Sequence, residues 1–535
     1  MKSDGDKTAD LTIVIILLIA TFLLKVGVVS NTWAISTDSP RFIYMAEDIK
    51  SGNLDDAITK DYHLLLPLMT AGVSSFLGIS SEIAGTWIVV AFGALAAVPL
   101  YFLGKQIYGR VAGVFAALMW ATYHYIMRET ADLMSDGIEL FFILSALCVT
   151  IWALRTKRPA LLLLCGAAAG LAYHARPEGM AVAAAAAVYV LLSRKYEWRL
   201  RRKVVGIVCV FIAALAVAAP YIYKISNTPE GFELRITYKK SVMQLLGLKK
   251  SAPVPSIQNK PEENDETSGQ QGGIPLPVRE KRPASAQILD TVRVYLWVHG
   301  PFLGFTLIGL VVAALKRRSS RPGTTLLAGT AVIFAIVVML LAINIYNTAS
   351  PSKRHLMSAV APTIPVCGAG MAFMLSWMAG LFRKRFSPRN SMFLALGLCT
   401  LALAGSAVVG LRPQRMEETT QRIMAERIRE FNIDSPKIMS NFEKIAYYSG
   451  GVHAGFPSVD SLNAFLKSAE ILNADFVVVS DEEIEKYPFL KPGNVDPRRL
   501  EFICRIAEDS VRERFNLDIK LDPEDRLTLY RIVKQ

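Results

Sequence analysis

The chain has 535 residues, of which 52% are hydrophobic and 20% are charged, and its mean hydropathy is +0.34. Apolar residues are concentrated in runs such as 11–29, 83–103 and 324–345, each near the roughly 20 residues that a membrane helix needs. This pattern excludes a soluble enzyme. The length of the first run, and the many runs after it, also argue against a secreted protein with a cleaved signal.

The net charge of +13 is unevenly distributed. The basic excess lies in residues 1–411, whereas the tail from residue 412 carries slightly more acidic than basic residues. Basic charge within a membrane region is typical of cytoplasmic loops and of contact with anionic lipids, so we expect a lipid bilayer and no nucleic acid as partner. The cysteines form no CxxC pair and mostly lie in apolar runs, which predicts neither a disulfide framework nor a zinc site.

Eleven apolar runs predict membrane-spanning helices. They are 11–30, 82–104, 111–127, 134–154, 160–175, 179–193, 204–223, 300–315, 324–346, 356–380 and 391–411. The loops rich in Lys and Arg all fall on the side of the N-terminus, at 105–110, 155–158, 194–203, 316–321 and 383–389. The positive-inside rule makes that side cytoplasmic, so the sequence predicts a polytopic α-helical membrane protein with its N-terminus inside.

The segments on the opposite side are then extracytoplasmic. They include a first outer loop, 31–81, and a long outer loop, 224–299. Within the long loop, residues 249–283 are rich in Pro, Gly, Ser, Gln and charge, which predicts disorder. Its flanks, 232–248 and 284–298, have the pattern of amphipathic segments that lie at the membrane interface.

The chain is predicted to divide into a transmembrane domain, 1–411, and an extracytoplasmic domain, 412–535. In the tail, short apolar runs alternate with helical patterns such as 458–473, which predicts a small α/β domain. The runs that predict strands are 437–441, 476–480 and 527–533.

The first outer loop contains the first candidate functional residues. Asp38 precedes Pro40 and a predicted helix, 41–50, so it stands where an N-cap residue would stand. A helix cap and a catalytic carboxylate are both compatible with this position. His63 precedes an apolar segment that predicts a helix along the membrane, and it is either an interface residue or a ligand.

A second polar cluster lies between the third and fourth predicted spans. It contains Arg128, Glu129 and Asp136, and Glu139 shares a helix face with Asp136 because the two are three residues apart. Ionisable groups at this depth cost a few kcal/mol unless they are paired or face a wet cavity, so a functional role is the first hypothesis. The alternative is that Arg128 forms an ion pair that only ties the loop.

Two more clusters lie at predicted outer helix ends. One contains Arg176, within the sequence Arg176-Pro177-Glu178-Gly179, and the other contains Lys353 and Arg354. Arg and Lys side chains pair well with phosphate oxygens, so both clusters suit an anionic ligand. The alternative is that these cations reach toward lipid headgroups.

Several short motifs resemble a known family. Asp38-Ser39-Pro40-Arg41-Phe42, with Met45-Ala46 and the sequence from Lys50 to Asn53, is similar to the D-E-x-x-Y…A…G-D region of polyprenyl-phosphate-sugar glycosyltransferases of the GT-C fold. These include protein mannosyltransferases, aminoarabinose transferases and lipopolysaccharide-core transferases. Further matches are Tyr108-Gly109-Arg110, Arg128-Glu129…Ser135-Asp136, Arg176-Pro177-Glu178-Gly179 and Lys353-Arg354-His355. The resemblance covers roughly residues 10–410, and Ser39 departs from it because relatives carry Glu there.

The resemblance implies an extracytoplasmic pocket, an outer-leaflet polyprenyl-phosphate sugar as donor, and inversion at the sugar carbon. A polyprenyl phosphate leaves readily, so the reaction needs a base for the acceptor and cations for the phosphate. We assign Asp38 as the base. The residues expected to bind the donor phosphate are Arg128, Lys353 and Arg354, with His63 or Arg176 as substitutes. Glu129 and Asp136 are expected to orient these cations or to bind sugar hydroxyls.

The expected enzyme is thus a glycosyltransferase of the bacterial inner membrane, with a lipid, glycan or protein acceptor. No cofactor is required, and a divalent metal is compatible with the site although no ligand spacing demands one. A transporter or flippase of a lipid-linked saccharide is the main alternative, and it predicts charged residues in the middle of spans. A non-catalytic scaffold, whose tail binds a partner, is a third reading.

Overall fold

A computed structural model describes residues 4–59, 63–193, 196–226, 284–300, 302–315, 353–354, 356–457, 459, 461–517 and 519–533. The predicted span 324–346, the predicted disordered segment 249–283 and the flank 232–248 lie outside these described residues. The chain divides into two compact units. The first unit contains the described parts of 1–30, 41–254 and 280–412, and the second contains 31–40 and the tail from residue 413.

The first unit is built from helices. Its α-helices are α1 (Asp4–Ser30), α2 (Ser39–Lys50, which begins in the second unit), α3 (Leu54–Thr59), α4 (Leu65–Leu77), α5 (Ser81–Leu95), α6 (Ala97–Tyr108), α7 (Arg110–Thr122), α8 (His124–Glu129), α9 (Asp136–Thr156), α10 (Leu162–Ala175), α11 (Ala181–Leu192), α12 (Leu200–Ser226), α13 (Ala284–His299), α14 (Phe302–Leu315), α15 (Met357–Val360), α16 (Ile364–Phe382) and α17 (Pro388–Gly410). Short 3-10 helices occupy Pro159–Leu161, Pro177–Met180 and Ala361–Thr363.

Six helical segments of the described chain are long and apolar enough to cross a membrane. They are Asp6–Ser30, Ser81–Tyr108, Asp136–Thr156, Leu200–Ile225, Met357–Phe382 and Pro388–Gly410. A seventh candidate is the pair Leu289–His299 and Phe302–Val312, which is bent by 94°. These segments confirm a multi-pass membrane protein, whereas the count of eleven spans and the inside N-terminus stay predictions.

Three predicted spans correspond to shorter helices. The span at 111–127 is interrupted at Tyr123, so that α7 and α8 are separate helices. The spans at 160–175 and 179–193 correspond to the apolar helices Pro159–Ala175 and Pro177–Leu192. Proline in the first turn of each of these segments suits a helix start, because that position has no intrahelical use for an N–H group.

The second unit is a mixed α/β structure. Its strands are β1 (Lys437–Met439), β2 (Val452–Ala454), β3 (Phe476–Ser480), β4 (Leu500–Ile506) and β5 (Leu527–Ile532). Its α-helices are α18 (Thr419–Arg429), α19 (Glu443–Ser449), α20 (Leu462–Ile471), α21 (Asp481–Lys486) and α22 (Glu508–Phe515). The sheet order is β2-β1-β3-β5-β4; β1 is parallel to β2 and β3, and β5 is antiparallel to β3 and β4.

The central strand β3 is buried on both faces. Phe476 and Val478 belong to a core cluster with helices α18 and α19, whereas Val477 and Val479 pack with Phe465 of α20 on the other face. Side chains alternate between the faces of a strand, so a strand covered on both sides needs a continuous apolar run. This requirement accounts for the Phe-Val-Val-Val sequence.

The segment that follows α1 is held by the second unit. Trp33 N donates to Gln414 O over 3.1 Å, and Gln414 N donates to the carbonyl of Asn31 over 3.0 Å. The guanidinium of Arg422 also donates to Trp33 O over 2.8 Å. The division therefore differs from the predicted boundary in one respect, because residues 31–40 group with the tail.

Candidate active site

Two carboxylates begin the helix α9. Asp136 and Glu139 lie in its first turn, where acidic side chains interact favourably with the positive end of the helix dipole. Their side chains are only 2% and 1% exposed. Buried carboxylates at the end of an apolar helix need basic or hydrogen-bonding partners.

Arg176 supplies the first basic partner. It lies in extended backbone between α10 and the 3-10 helix Pro177–Met180. Its guanidinium donates to Asp136 Oδ1, and its Nε is 3.9 Å from both Glu139 Oε2 and Glu178 Oε2. One guanidinium thus lies among three carboxylates.

The segment around α15 supplies the second basic partner and a hydroxyl. Arg354 Nε is 3.5 Å from Asp136 Oδ2. Ser358 Oγ donates to Glu139 Oε2 over 3.1 Å. We call these six residues the carboxylate cluster: Asp136, Glu139, Arg176, Glu178, Arg354 and Ser358.

The carboxylate cluster contains more acidic than basic groups, with three carboxylates and two guanidinium groups. Glu139 Oε1 is buried and accepts no hydrogen bond from the described part of the chain. A buried acceptor without a donor costs about 1–3 kcal/mol, so its presence calls for an explanation. The cluster therefore has the capacity to accept a hydrogen bond from a bound molecule.

Lys353 lies beside the carboxylate cluster in sequence and is exposed. Its Nζ lies 3.8 Å from the ring centroid of Trp297, a residue of α13. The Trp297 ring in turn contacts Tyr125 edge to face, with 5.8 Å between centroids. The cation–π contact keeps an ammonium group at the surface next to Arg354.

Arg128 makes a different kind of contact. Its guanidinium donates to the main-chain carbonyls of Val409, Gly410 and Arg412 over 2.6, 3.1 and 3.3 Å. The last carbonyls of a helix have no intrahelical donor, and a cation there also offsets the helix dipole. This geometry favours a structural role for Arg128 at the end of α17. The contacts of Arg128 do not support the expected role in binding the donor phosphate.

His63 lies in an aromatic cluster. Its ring is 5.4 Å from those of Tyr173 and Tyr221, measured between centroids. Nearby, Lys224 of α12 pairs with Asp55 of α3 over 2.5 Å. His63, which precedes α4, thus packs against the ends of α10 and α12.

Asp38 and Glu129 are the remaining predicted site residues. Asp38 is half-buried, belongs to the second unit and directly precedes α2, as an N-cap residue would. Glu129 is half-buried and is the last residue of α8, directly after Arg128. The structure thus brings Asp136, Arg176 and Arg354 together in one cluster.

Three members of the carboxylate cluster were given no specific role in binding or catalysis from the sequence. Glu139 carries a signal in its spacing from Asp136, and Glu178 carries one in its position two residues after Arg176. Ser358 carries none, because a serine within an apolar helix is unremarkable in sequence. Among the described residues, no group of three or more His, Cys, Asp or Glu side chains is arranged to hold a metal ion.

Comparisons with known proteins extend these observations. Residues 64–223 match the family model of the dolichyl-phosphate-mannose-protein mannosyltransferases. The structure of ArnT from Cupriavidus metallidurans bound to undecaprenyl phosphate is 11% identical, with a TM-score of 0.58, over 99% of this chain and 98% of that one. The oligosaccharyltransferase of Archaeoglobus fulgidus is 14% identical, with a TM-score of 0.55, over 90% of this chain and 70% of that one.

A search of curated proteins gives no match. The two solved structures share their fold, the GT-C fold, with this chain, and the family match confirms the predicted resemblance. The chain therefore has the GT-C fold, and residues 64–223 are similar to a family of membrane mannosyltransferases. The matched region contains α9 and the 3-10 helix after α10, and therefore most of the carboxylate cluster.

Proposed function

We propose that this protein is a glycosyltransferase, which moves one sugar from a polyprenyl-phosphate donor to an acceptor hydroxyl at the outer face of the bacterial inner membrane. The observation that carries the proposal is the buried carboxylate cluster, with Arg354 and Lys353 beside it. The solved relatives add support for the donor class. ArnT was solved with undecaprenyl phosphate, and the Archaeoglobus fulgidus enzyme was solved with a dolichol-phosphate and an inhibitory peptide.

The proposed reaction is a single displacement. The acceptor oxygen attacks the anomeric carbon, the bond from that carbon to the phosphate oxygen breaks, and the polyprenyl phosphate departs with the bonding electrons. Asp38, the base that we assign from the sequence, takes the proton of the acceptor hydroxyl. The phosphate needs no proton to leave, because nearby cations stabilise its developing charge.

Arg354 and Lys353 are the cations that we assign to the phosphate. Arg354 pairs with Asp136, and its side chain is 24% exposed. Arg176 is 12% exposed and is surrounded by three carboxylates, which neutralise its charge. Arg176 is therefore proposed as a positioning residue for the carboxylates, in place of the phosphate role considered from the sequence.

Asp136 and Glu139 complete the proposed site. Asp136 contacts both guanidinium groups and so orients Arg354 toward the donor. Glu139 Oε1 has an open acceptor position within the described residues, which suits a sugar hydroxyl. The acceptor is a lipid, a glycan or a protein, and the proposed reaction requires no cofactor.

A transfer assay with a labelled polyprenyl-phosphate sugar tests the proposal. We expect Asp38→Asn to lower the transfer rate by about 10²–10⁴-fold, because Asn cannot take the proton. Asn caps a helix about as well as Asp, so expression and donor binding should stay near those of the parent. Asp48→Asn is the matched control, since Asp48 is a second half-buried aspartate and lies within α2, the helix that Asp38 precedes.

The outcomes separate the readings of Asp38. A normally folded Asp38→Asn protein that transfers sugar at more than about a tenth of the parent rate would leave Asp38 as a helix cap only. Movement of intact donor across vesicles by a parent protein that attaches no label to any envelope acceptor would instead support a flippase.

A further inference from the structure

A lysine lies buried near the C-terminal end of the first membrane helix. Lys25 belongs to α1, five residues before its last residue, and its side chain is 0% exposed. A charged side chain within a membrane segment costs a few kcal/mol, and such residues usually have a function. Lys25 is neither the proposed base nor one of the proposed phosphate cations, so the proposed reaction does not account for its burial.

Lys25 has one hydrogen-bond partner in the described part of the chain. Its Nζ donates to Thr130 Oγ1, and the Thr130 hydroxyl donates in turn to the carbonyl of Ile126. Its Nζ also lies 5.8 Å from the ring centroid of Trp120. No carboxylate among the described residues forms an ion pair with Lys25, so the ammonium is held by a hydroxyl and an aromatic ring.

Gly93 of α5 forms the third side of this pocket. A Cβ atom at this position would lie 2.3 Å from Thr130 O and 3.0 Å from Lys25 Cε. The Trp120 indole N–H donates to Gly93 O over 2.7 Å. Only glycine lets α5 approach this closely, so the lysine and the threonine are enclosed together.

Thr130 begins the turn that leads to the carboxylate cluster. It follows α8 directly, and α9 begins with Asp136 six residues later. Within the turn, Met134 N donates to Asp132 O over 2.7 Å, and Glu139 N donates to Ser135 O over 3.0 Å. Fixing Thr130 therefore restricts the backbone that places Asp136 and Glu139.

We propose that Lys25 is a positioning residue that holds the turn 130–135 and thereby sets the positions of Asp136 and Glu139; this inference rests on the proposed function. An apolar side chain at this position would be buried in a membrane helix at a lower cost in free energy. A lysine instead provides a charge-assisted hydrogen bond to Thr130, which is stronger than one between neutral groups. The site gains precision at the expense of stability.

The replacement Lys25→Met separates positioning from general stability. It removes a buried charge and keeps a similar length, so we expect the full-length protein to melt at the same temperature or higher. We expect its turnover rate at saturating donor to fall by about tenfold or more, because small displacements of reacting groups cost large factors in rate. Thr21→Val is the matched control, because Thr21 is also fully buried in α1 and, among the described residues, its hydroxyl donates to Leu17 O one turn away.

Two substitutions at Thr130 test the contact from the other side. Thr130→Ser keeps the hydroxyl and should stay within about threefold of the parent rate, whereas Thr130→Val should lose as much rate as Lys25→Met. The double variant Lys25→Met/Thr130→Val should lose no more than either single variant, because both remove the same contact. Additive losses, or rate losses that follow the melting temperature, would overturn the positioning role.

Hydrogen exchange gives a readout that does not depend on the reaction. Amides of residues 130–136 should exchange faster in Lys25→Met than in the parent, whereas those of Thr21→Val should not. Unchanged exchange in this turn would contradict the inference even if transfer is lost. A parent protein that transfers no sugar would contradict the proposed function, and the exchange experiment would still decide the role of Lys25.

Discussion

Two charged clusters of the first unit show how differently this chain uses ion pairs. Near the N-terminus of α1, Asp10 contacts Lys105 Nζ, Arg110 Nε at 3.2 Å and the Tyr101 hydroxyl at 2.8 Å. In the same cluster, Arg110 Nη2 is 2.5 Å from Asp6 Oδ1. The carboxylate cluster at the start of α9 contains the same kinds of charged residues, but its ratio of acidic to basic groups is different.

The difference lies in charge balance and burial. The α1 cluster pairs two carboxylates with two cations, and Asp6 and Arg110 are more than a third exposed. The carboxylate cluster has three carboxylates for two cations, and Asp136 and Glu139 are almost fully buried. A balanced and wetter cluster fastens a helix end to a loop, whereas a buried cluster with an open acceptor is suited to a ligand.

The cation Arg354 provides the strongest test of this contrast. We expect Arg354→Ala to lower the transfer rate by about 10²–10³-fold, because it removes charge that stabilises the departing phosphate. Arg110→Gln, in the α1 cluster, should leave the rate per folded molecule within about twofold, since surface ion pairs contribute little. Rates at several donor concentrations measure both effects. Equal losses in the two variants would remove the distinction between the clusters.

The open acceptor of Glu139 provides the second test. Glu139→Gln removes a buried negative charge, so the protein should be as stable as the parent or more stable, while transfer falls by about tenfold. Asp10→Asn should do the reverse, because it weakens the contacts to Lys105 and Arg110 while the rate per folded molecule is kept. Thermal unfolding and transfer rates on the same preparations compare the two. A destabilised but fully active Glu139→Gln protein would make Glu139 a structural residue.

Sequence reasoning was most successful where local patterns decide the structure. The helix predicted at 41–50 is part of α2, and the predicted strand at 476–480 is β3, because proline, capping positions and apolar runs act locally. The strands β2 and β4 were not predicted. β2 has only three residues, and the register of β4 shifts between Phe502 and Cys504, which breaks the alternation that identifies a strand.

The partners of the polar residues depend on tertiary structure and could not be predicted in the same way. Arg128 and Arg354 both looked like cations at outer helix ends, yet one donates to carbonyls of α17 and the other faces Asp136. Nothing in the local sequence distinguishes these partners, because they lie more than 200 residues away along the chain. Lys25 was overlooked because it stands alone within a long apolar run.

Arg128 offers a third test of the difference between structural and functional charged residues. It lies near the carboxylate cluster in sequence but has the contacts of a structural residue. Arg128→Ala removes the guanidinium that donates to carbonyls at the end of α17, so we expect a loss of about 1.5–3 kcal/mol in stability. The rate per folded molecule should fall less than about threefold. Thermal unfolding and transfer assays on purified protein measure these values. A stable Arg128→Ala protein with weakened donor affinity would restore the phosphate role considered from the sequence.

The second unit contains a surplus of acid without a proposed ligand, around Asp525, which is 9% exposed. Burial, and then the nearby charges of Glu524, Glu417, Glu418 and Asp522, raise the pKa of Asp525 from 3.8 to about 6. The folded state therefore holds this proton more tightly than the unfolded state, so stability falls as the pH rises from about 4 through about 6. This cluster tests whether surplus carboxylates by themselves imply function.

Of the substitutions considered, Asp525→Asn should have the smallest effect, and it should change only the stability of the protein. Above about pH 6 the variant lacks the buried charge, so the second unit should gain stability on the order of 1 kcal/mol, and below about pH 4 parent and variant should be equal. Hydrogen exchange of the β5 amides in the intact protein at pH 4, 6 and 8 measures the gain, with the exposed Asp509→Asn as control. Transfer should be unchanged, because the surplus acid here costs folding energy without serving the reaction. A loss of transfer in Asp525→Asn would mean that this acidic surplus, like that of the carboxylate cluster, serves function.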